Sequence, residues 1–229
     1  MPDDAFPTGM AAALLLGDGR LPTGGYAHST GLESAARRGW VRSPEDLTRF
    51  VRGRAATSGL MNASFAAAAH RAAAAEDPAQ LQELDELLVA RTPSPALRAV
   101  GVQLGRTLLR AMQGIVPGPA LEQLPAGLQQ PIVFGVVARH LGLSARATAA
   151  AHLHETVTGP AIAAVKVLHV DPFTAHRAVA EVLPLLDRLS AEAAERADGP
   201  LERLPALSSP LSDLAAEMHE EDDARLFVS

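Results

Sequence analysis

The feature that most constrains this chain is a recurring two-residue helix start, a capping side chain followed by proline. Ser43-Pro44-Glu45-Asp46 joins an N-cap serine, a proline at the first helical position and an acidic residue three after the cap. Asp77-Pro78, Ser94-Pro95 and Asp171-Pro172 repeat the device. Each is followed by apolar residues at one-face helical spacing: Leu47, Phe50, Val51 and Ala55; Leu81, Leu84, Leu87 and Leu88; Leu97, Val100, Gly101, Leu104 and Leu108. The last run is Phe173, Val179, Val182, Leu183, Leu186 and Leu189, in which Pro184 is expected to kink the helix. The best strand candidate, Ile132 to Val137, has no hairpin turn beside it and continues into Ala138-Arg139-His140-Leu141, so it reads as helix. The chain is expected to be all-α, a single domain of eight to ten helices over residues 1–206, with a flexible tail at 207–229.

Composition sets the core. Apolar residues are 48% of the chain but aromatics only 3%, so the interior must be built from Ala, Leu and Val, which favours closely approaching helices. At 229 residues one helical domain can bury a proper core. Residues 1–115 carry 12 basic and 11 acidic side chains, and residues 116–229 carry 8 and 15. Neither half has the basic excess that nucleic-acid binding needs. Cysteine is absent, which removes disulfides, thiolate metal sites and a cysteine nucleophile. The apolar run Met10 to Leu16 is far below the roughly 20 residues that span a bilayer, so no membrane association is expected and the chain reads as soluble and cytoplasmic.

Two stretches break the helical pattern. Gly114 to Pro131, rich in glycine and proline, suits a long surface connection, and Ala197 to Pro210 separates the body from the tail. In the tail, Leu211, Leu214, Ala215 and Met218 form a short apolar stripe with no evident core to pack on, followed by an acidic run, Glu217 to Asp223.

The segment GDGRLPTGGYAHSTGLE, residues 17–33, is the natural place to look for chemistry. Gly19 and Gly24 have the gap of a phosphate loop, but Gly25 and Tyr26 stand where lysine and a hydroxyl residue belong. Ala27-His28-Ser29-Thr30-Gly31 resembles a hydrolase elbow with Ser29 as nucleophile, yet Arg20 to Gly25 cannot supply the buried strand that the elbow requires. His152 and Glu155 are the one feasible metal pair in Ala151-His152-Leu153-His154-Glu155, and two ligands do not make a site. No cofactor, metal or catalytic residue is therefore assigned. What remains is a structural turn at Pro22, Gly24 and Gly25, with both glycines free to take positive φ, and a helix from about Ala27 to Gly39. Tyr26, His28 and Glu33 would then lie near the loop, available to a partner.

Leu21-Pro22-Thr23-Gly24-Gly25-Tyr26, Gly31-Leu32-Glu33 and Gly39-Trp40-Val41 resemble the N-terminal signature of the urease accessory protein UreF family, LPxGG[FY], GLE and GW. The likeness continues through Thr92, Leu97-Arg98, Gly105-Arg106, Pro131 to Gly135, Ala163-Ala164-Val165-Lys166, Ser209-Pro210, His219-Glu220 and Arg225-Leu226-Phe227-Val228-Ser229. The chain departs from the family at His169-Val170-Asp171-Pro172 and at Val228, where arginine is usual. The resemblance implies a homodimeric, non-catalytic all-α scaffold that binds UreH (UreD), recruits the GTPase UreG to urease apoprotein and supports nickel insertion. It further implies partner contacts at Tyr26, His28, Glu33, Lys166, Leu211, Leu214, Met218, Arg225, Leu226 and Phe227. Lys166, the only lysine, stands after a Gly159-Pro160 break, where it either pairs with an acidic neighbour or faces UreG. The alternatives are a serine hydrolase using Ser29 and a generic helical interaction module.

Overall fold

A computed structural model describes residues 9–25, 28–219 and 226–227, and among these the structure is helical, without strands. The expected helix starts form as hydrogen bonds. Ser43 accepts from the Asp46 amide (3.2 Å) while the Asp46 carboxylate accepts from the Ser43 amide (3.1 Å), closing the capping box of α3, Pro44–Arg54. Asp77, Ser94 and Asp171 likewise accept the amides of Gln80, Leu97 and Thr174 and start α5 (Pro78–Ala90), α6 (Pro95–Ile115) and α10 (Pro172–Arg196). Ser144 does the same for α9, Ala145–Val167. The remaining helices are α1 (Met10–Leu16), α2 (Leu32–Arg37), α4 (Leu60–Ala74), α7 (Pro119–Glu122), α8 (Gln130–His140) and α11 (Pro210–His219). A π-helical turn, Ala55–Gly59, joins α3 to α4 in one rod, which makes ten separate α-helical rods among the described residues, besides a short 3-10 turn at Leu201–Arg203.

The alanines decide the packing. Helix α4 is the centre, with Ala63, Ala66, Ala67, Ala69 and Ala72 without exposed surface, and it packs on α5, α8, α9 and α10. Helix α8 is the apolar run Ile132 to Val137, buried from Pro131 to Ala138. It closes on α4 so tightly that a Cβ at Gly135 would overlap the Ala66 carbonyl oxygen and lie 2.8 Å from the Ala69 methyl. Only small residues permit this approach.

Several expectations are corrected. Phe173 is 82% exposed and Leu183 also faces outward, while Ala175, Ala178, Val179, Val182, Leu186 and Leu189 form the buried stripe of α10. Phe173 is two residues from Ala175, about 200° around the helix. The α10 helix runs on through Pro184, and α9 runs on through Pro160, so Lys166 does not follow a break. Pro160 is buried, and the packing on either side of it keeps one helix going. The Gly114–Pro131 stretch is not a loose surface loop. Val116, Leu121, Leu124 and Leu128 turn inward. Gln113, His140 and Arg106 side chains bind the carbonyls of Leu121 (2.8 Å), Val116 (3.0 Å) and Ala126 (2.9 Å). Helix α2 begins at Leu32, later than the expected Ala27.

The α11 helix has a surface to pack on. Ser212, Ala215 and Ala216 are buried against α2 and α6, and Glu217 accepts from the Ser94 hydroxyl and from the Ala96 amide (3.0 Å). Leu211 and Leu214 are 60% and 53% exposed, so the leucines of the stripe point outward and its alanine points inward.

Candidate functional site

The conformation of the glycine segment comes from two different glycines doing different things. Gly24 takes φ +85°, a left-handed conformation that only glycine adopts cheaply, and its Cα faces Thr107 and Leu104 of α6. Gly25 does not have positive φ; it is small because a Cβ there would sit 3.3 Å from the Glu155 carboxylate. Pro22 is exposed beside them. His28 and Ser29 are buried just before α2, and the Ser29 hydroxyl accepts the Glu33 amide (3.2 Å). Ser29 thus serves the start of a helix and has no exposed surface, a poor position for a nucleophile. Tyr26 and Arg225 lie outside the described residues.

Glu33 is the expected site residue with the fullest set of contacts. Its buried carboxylate accepts the amides of Leu226 (2.9 Å) and Phe227 (3.1 Å) and the Arg37 guanidinium (2.6 Å) one helical turn on. The Phe227 ring lies under the exposed Lys166 ammonium of α9, 5.8 Å from Nζ to the ring centroid. Three places that are far apart in sequence, Glu33, Lys166 and Leu226-Phe227, therefore meet. Leu211, Leu214 and Met218 sit on α11, where the two leucines are open to solvent and Met218 is half-buried.

Behind this corner is a cavity of about 740 Å³. One wall is the glycine segment from Gly17 to Gly25, and α6 contributes Leu97, Val100 and Leu104. Polar residues cluster on the opposite wall: Arg54 and Ser58, one turn apart through the π-helical stretch, face Gln130 of α8 and His152 and Glu155 of α9. The Gln130 amide donates to Glu155 Oε2 (3.2 Å), which leaves its Oε1 to accept from His152 Nε2 (3.0 Å). The edge-on Phe134 ring, 5.2 Å away between centroids, holds the imidazole. Burial pushes the Glu155 carboxyl up to about 7, against the Gln130 hydrogen bond that favours its ionised form. Burial, helped by the Arg54 charge, lowers His152 to about 4, so the ring is neutral at physiological pH. Burial also lowers the Arg54 guanidinium to about 10, with Asp213 of α11 opposing.

In sequence, His152 and Glu155 read only as a metal pair, and no pattern marks Arg54, Ser58 or Gln130. Among the described residues, no three His, Asp or Glu side chains converge as a metal site, and no helix is long and apolar enough to cross a membrane.

Comparison with known proteins places the chain in a family. The UreF family model matches residues 41–183. The chain is 38% identical to the urease accessory protein UreF of Mycolicibacterium vanbaalenii over 96% of its own length and 99% of the relative's. It is 38% identical to that of Mycobacterium tuberculosis strain H37Rv over 97% of its length and the whole of the relative. For the UreF of Mycobacterium sp. strain JLS the identity is 36%, again over 97% of this chain and all of the other. A match of this extent, to both the family model and full-length relatives, makes the chain a member of the UreF family.

Proposed function

We propose that the chain is a non-catalytic scaffold of urease maturation, acting in the cytoplasm as a homodimer. It binds UreH (UreD) and recruits the GTPase UreG to urease apoprotein, so that nickel, the cargo, can be inserted. The observation that carries this reading is the corner where Glu33 fastens Leu226 and Phe227 beside Lys166. It joins the tail to the body and leaves Leu211, Leu214 and Leu226 exposed on the tail. Outward leucines on a short helix are the anchors that a partner groove takes.

In this reading the tail, residues 207–229, is the UreH-binding element, with Leu211, Leu214, Met218, Arg225, Leu226 and Phe227 at the contact. Tyr26, His28, Glu33 and Lys166 belong to the neighbouring partner face, and Pro22, Gly24 and Gly25 shape the wall behind it. The deciding experiment co-expresses the tagged chain with UreH, UreG and urease apoprotein. Co-purification of UreH and UreG, and nickel-dependent urease activity that requires this chain, are expected. If the folded chain retains neither partner and urease matures without it, the reading is wrong. An activated-ester probe that labels Ser29 would instead favour a hydrolase.

A further inference from the structure

We propose that Glu217 is a positioning residue: it fixes how α11 is turned on the body, and so holds Leu211 and Leu214 outward before any partner arrives. The inference rests on the reading of the tail as the UreH-binding element and goes further in naming what presents it. A helix of ten residues is marginal by itself. One that docks on a protein body ordinarily turns its leucines inward. On α11 the order is reversed, with Ser212, Ala215 and Ala216 buried and both leucines open to solvent. A serine and two alanine methyls remove little apolar surface from water, so hydrophobic burial does not select this orientation.

Two contacts select it instead. The Glu217 carboxylate reaches the first turn of α6, where it accepts from the Ser94 hydroxyl and, through Oε1, from the Ala96 amide (3.0 Å). That turn has amides without intrahelical partners, and the helix dipole favours a negative charge there. Ser94 at the same time accepts the Leu97 amide (3.0 Å), so its one proton is free to go to Glu217. The second contact is steric. A Cβ on Gly31 would lie 3.6 Å from the Ala215 methyl and from the Ser212 carbonyl oxygen, which leaves no depth for a leucine at that place. Turning α11 to bury Leu211 and Leu214 would swing the carboxylate off the α6 amides.

The chain is also held on either side of α11. Before it, the Arg91 guanidinium binds the carbonyls of Glu202 (3.4 Å), Leu204 and Pro205 (3.3 Å). After it, Glu33 accepts the amides of Leu226 and Phe227. These two clamps set where the tail runs but not which face of the helix looks out. Glu217 does that, with Asp213 adding a longer-range attraction to Arg54. A partner then meets leucines already in place and does not have to order the helix, a cost that otherwise reduces affinity.

The test is amide hydrogen exchange on the full chain, paired with titration by UreH. In the isolated wild type the amides from Leu214 to Met218 should be protected. Glu217→Lys sets a cation on the α6 amides and should speed their exchange about a hundredfold, with α4 exchange and the melting temperature unchanged. Glu217→Gln keeps an acceptor and should restore most of the protection. UreH affinity should fall in Glu217→Lys by the reciprocal of the docked fraction that exchange reports, and recover in Glu217→Gln. The Leu211→Ser, Leu214→Ser pair should lose UreH with protection intact, which separates presenting the leucines from being them. Three results overturn the proposal: α11 of the wild type exchanging like a free peptide, Glu217→Lys exchanging like wild type, or an undocked Glu217→Lys binding UreH as tightly as wild type. A wild-type chain that ignores UreH overturns the reading of the tail and the partner half of this proposal with it, and the exchange result, which needs no partner, still decides the role of Glu217.

Discussion

Replacing Glu155 by glutamine should stabilise the protein, and only on the alkaline side. The folded carboxyl titrates near 7, above its ordinary value of 4.5. The native state therefore holds a proton that the unfolded chain has released, and stability falls as pH rises from about 4.5 to 7. Above that window the full cost is present: 2.5 units at 1.36 kcal/mol each, about 3 kcal/mol at most. Glu155 borders the cavity and meets water there, which discounts the figure to about 1–2 kcal/mol. His152 works in the opposite sense. Its folded value near 4 lies below 6.5, so its contribution is lost as pH falls from 6.5 toward 4. Across roughly pH 4.5 to 6.5 the two slopes nearly cancel in the native chain. Glu155→Gln keeps the amide bond from Gln130 and removes one slope. Its stability should climb with pH through that window and exceed wild type at pH 8 by about 1–2 kcal/mol, or roughly 2–8 °C in melting temperature for a chain of this size. Thermal and urea unfolding of both proteins from pH 4 to 9 makes the comparison. A variant no more stable than wild type at pH 8, or a gap that does not depend on pH, would refute the assignment.

Gly135→Val should cost upwards of about 3 kcal/mol, because its side chain would enter the Ala66 backbone at the closest contact of α4 and α8; urea unfolding measures it. Gly24→Ala should cost about 1–2 kcal/mol through its positive φ, whereas Gly25→Ala, which carries no such strain, should cost less, and the order of the two midpoints checks this. Leu211→Ser with Leu214→Ser should abolish UreH co-purification without lowering the melting temperature, since both side chains are exposed. Tail deletion is the less clean experiment, as it also removes Glu217 from the start of α6. Glu33→Gln should speed hydrogen exchange at the Leu226 and Phe227 amides, which would show no change if the carboxylate did not hold them.

Helix starts were legible because capping is local: a side chain and an amide three residues later decide it, and Ser43, Asp77, Ser94 and Asp171 all cap as read. Helix faces were less legible where small residues do the packing. On α11 the hydrophobic period favours Leu211 and Leu214 as the inward residues, yet the inward face is Ser212, Ala215 and Ala216, of which Ser212 and Ala215 fit closely over Gly31 of the glycine segment. The same bias misplaced Phe173. Glu33, Lys166 and Phe227 are all indicated by family likeness, but that the three meet emerges only from tertiary structure. Arg54 and Ser58 had no signal at all, because an arginine and a serine one turn apart look like any solvated helix face until a π-helical turn sets them against α9.

The alanine interior of α4 has a consequence for how such a chain can change over generations. A leucine core can be hollowed out methylene by methylene, and each truncation leaves a void. Where Ala63, Ala66, Ala67, Ala69 and Ala72 already carry a single methyl, there is almost nothing left to truncate. Harm at these positions comes from growth, since any larger side chain must push apart helices whose spacing the backbone itself defines. Substitution in this helix is therefore bounded from above, by volume, with glycine and serine as the tolerated drift and valine or leucine as the lesions.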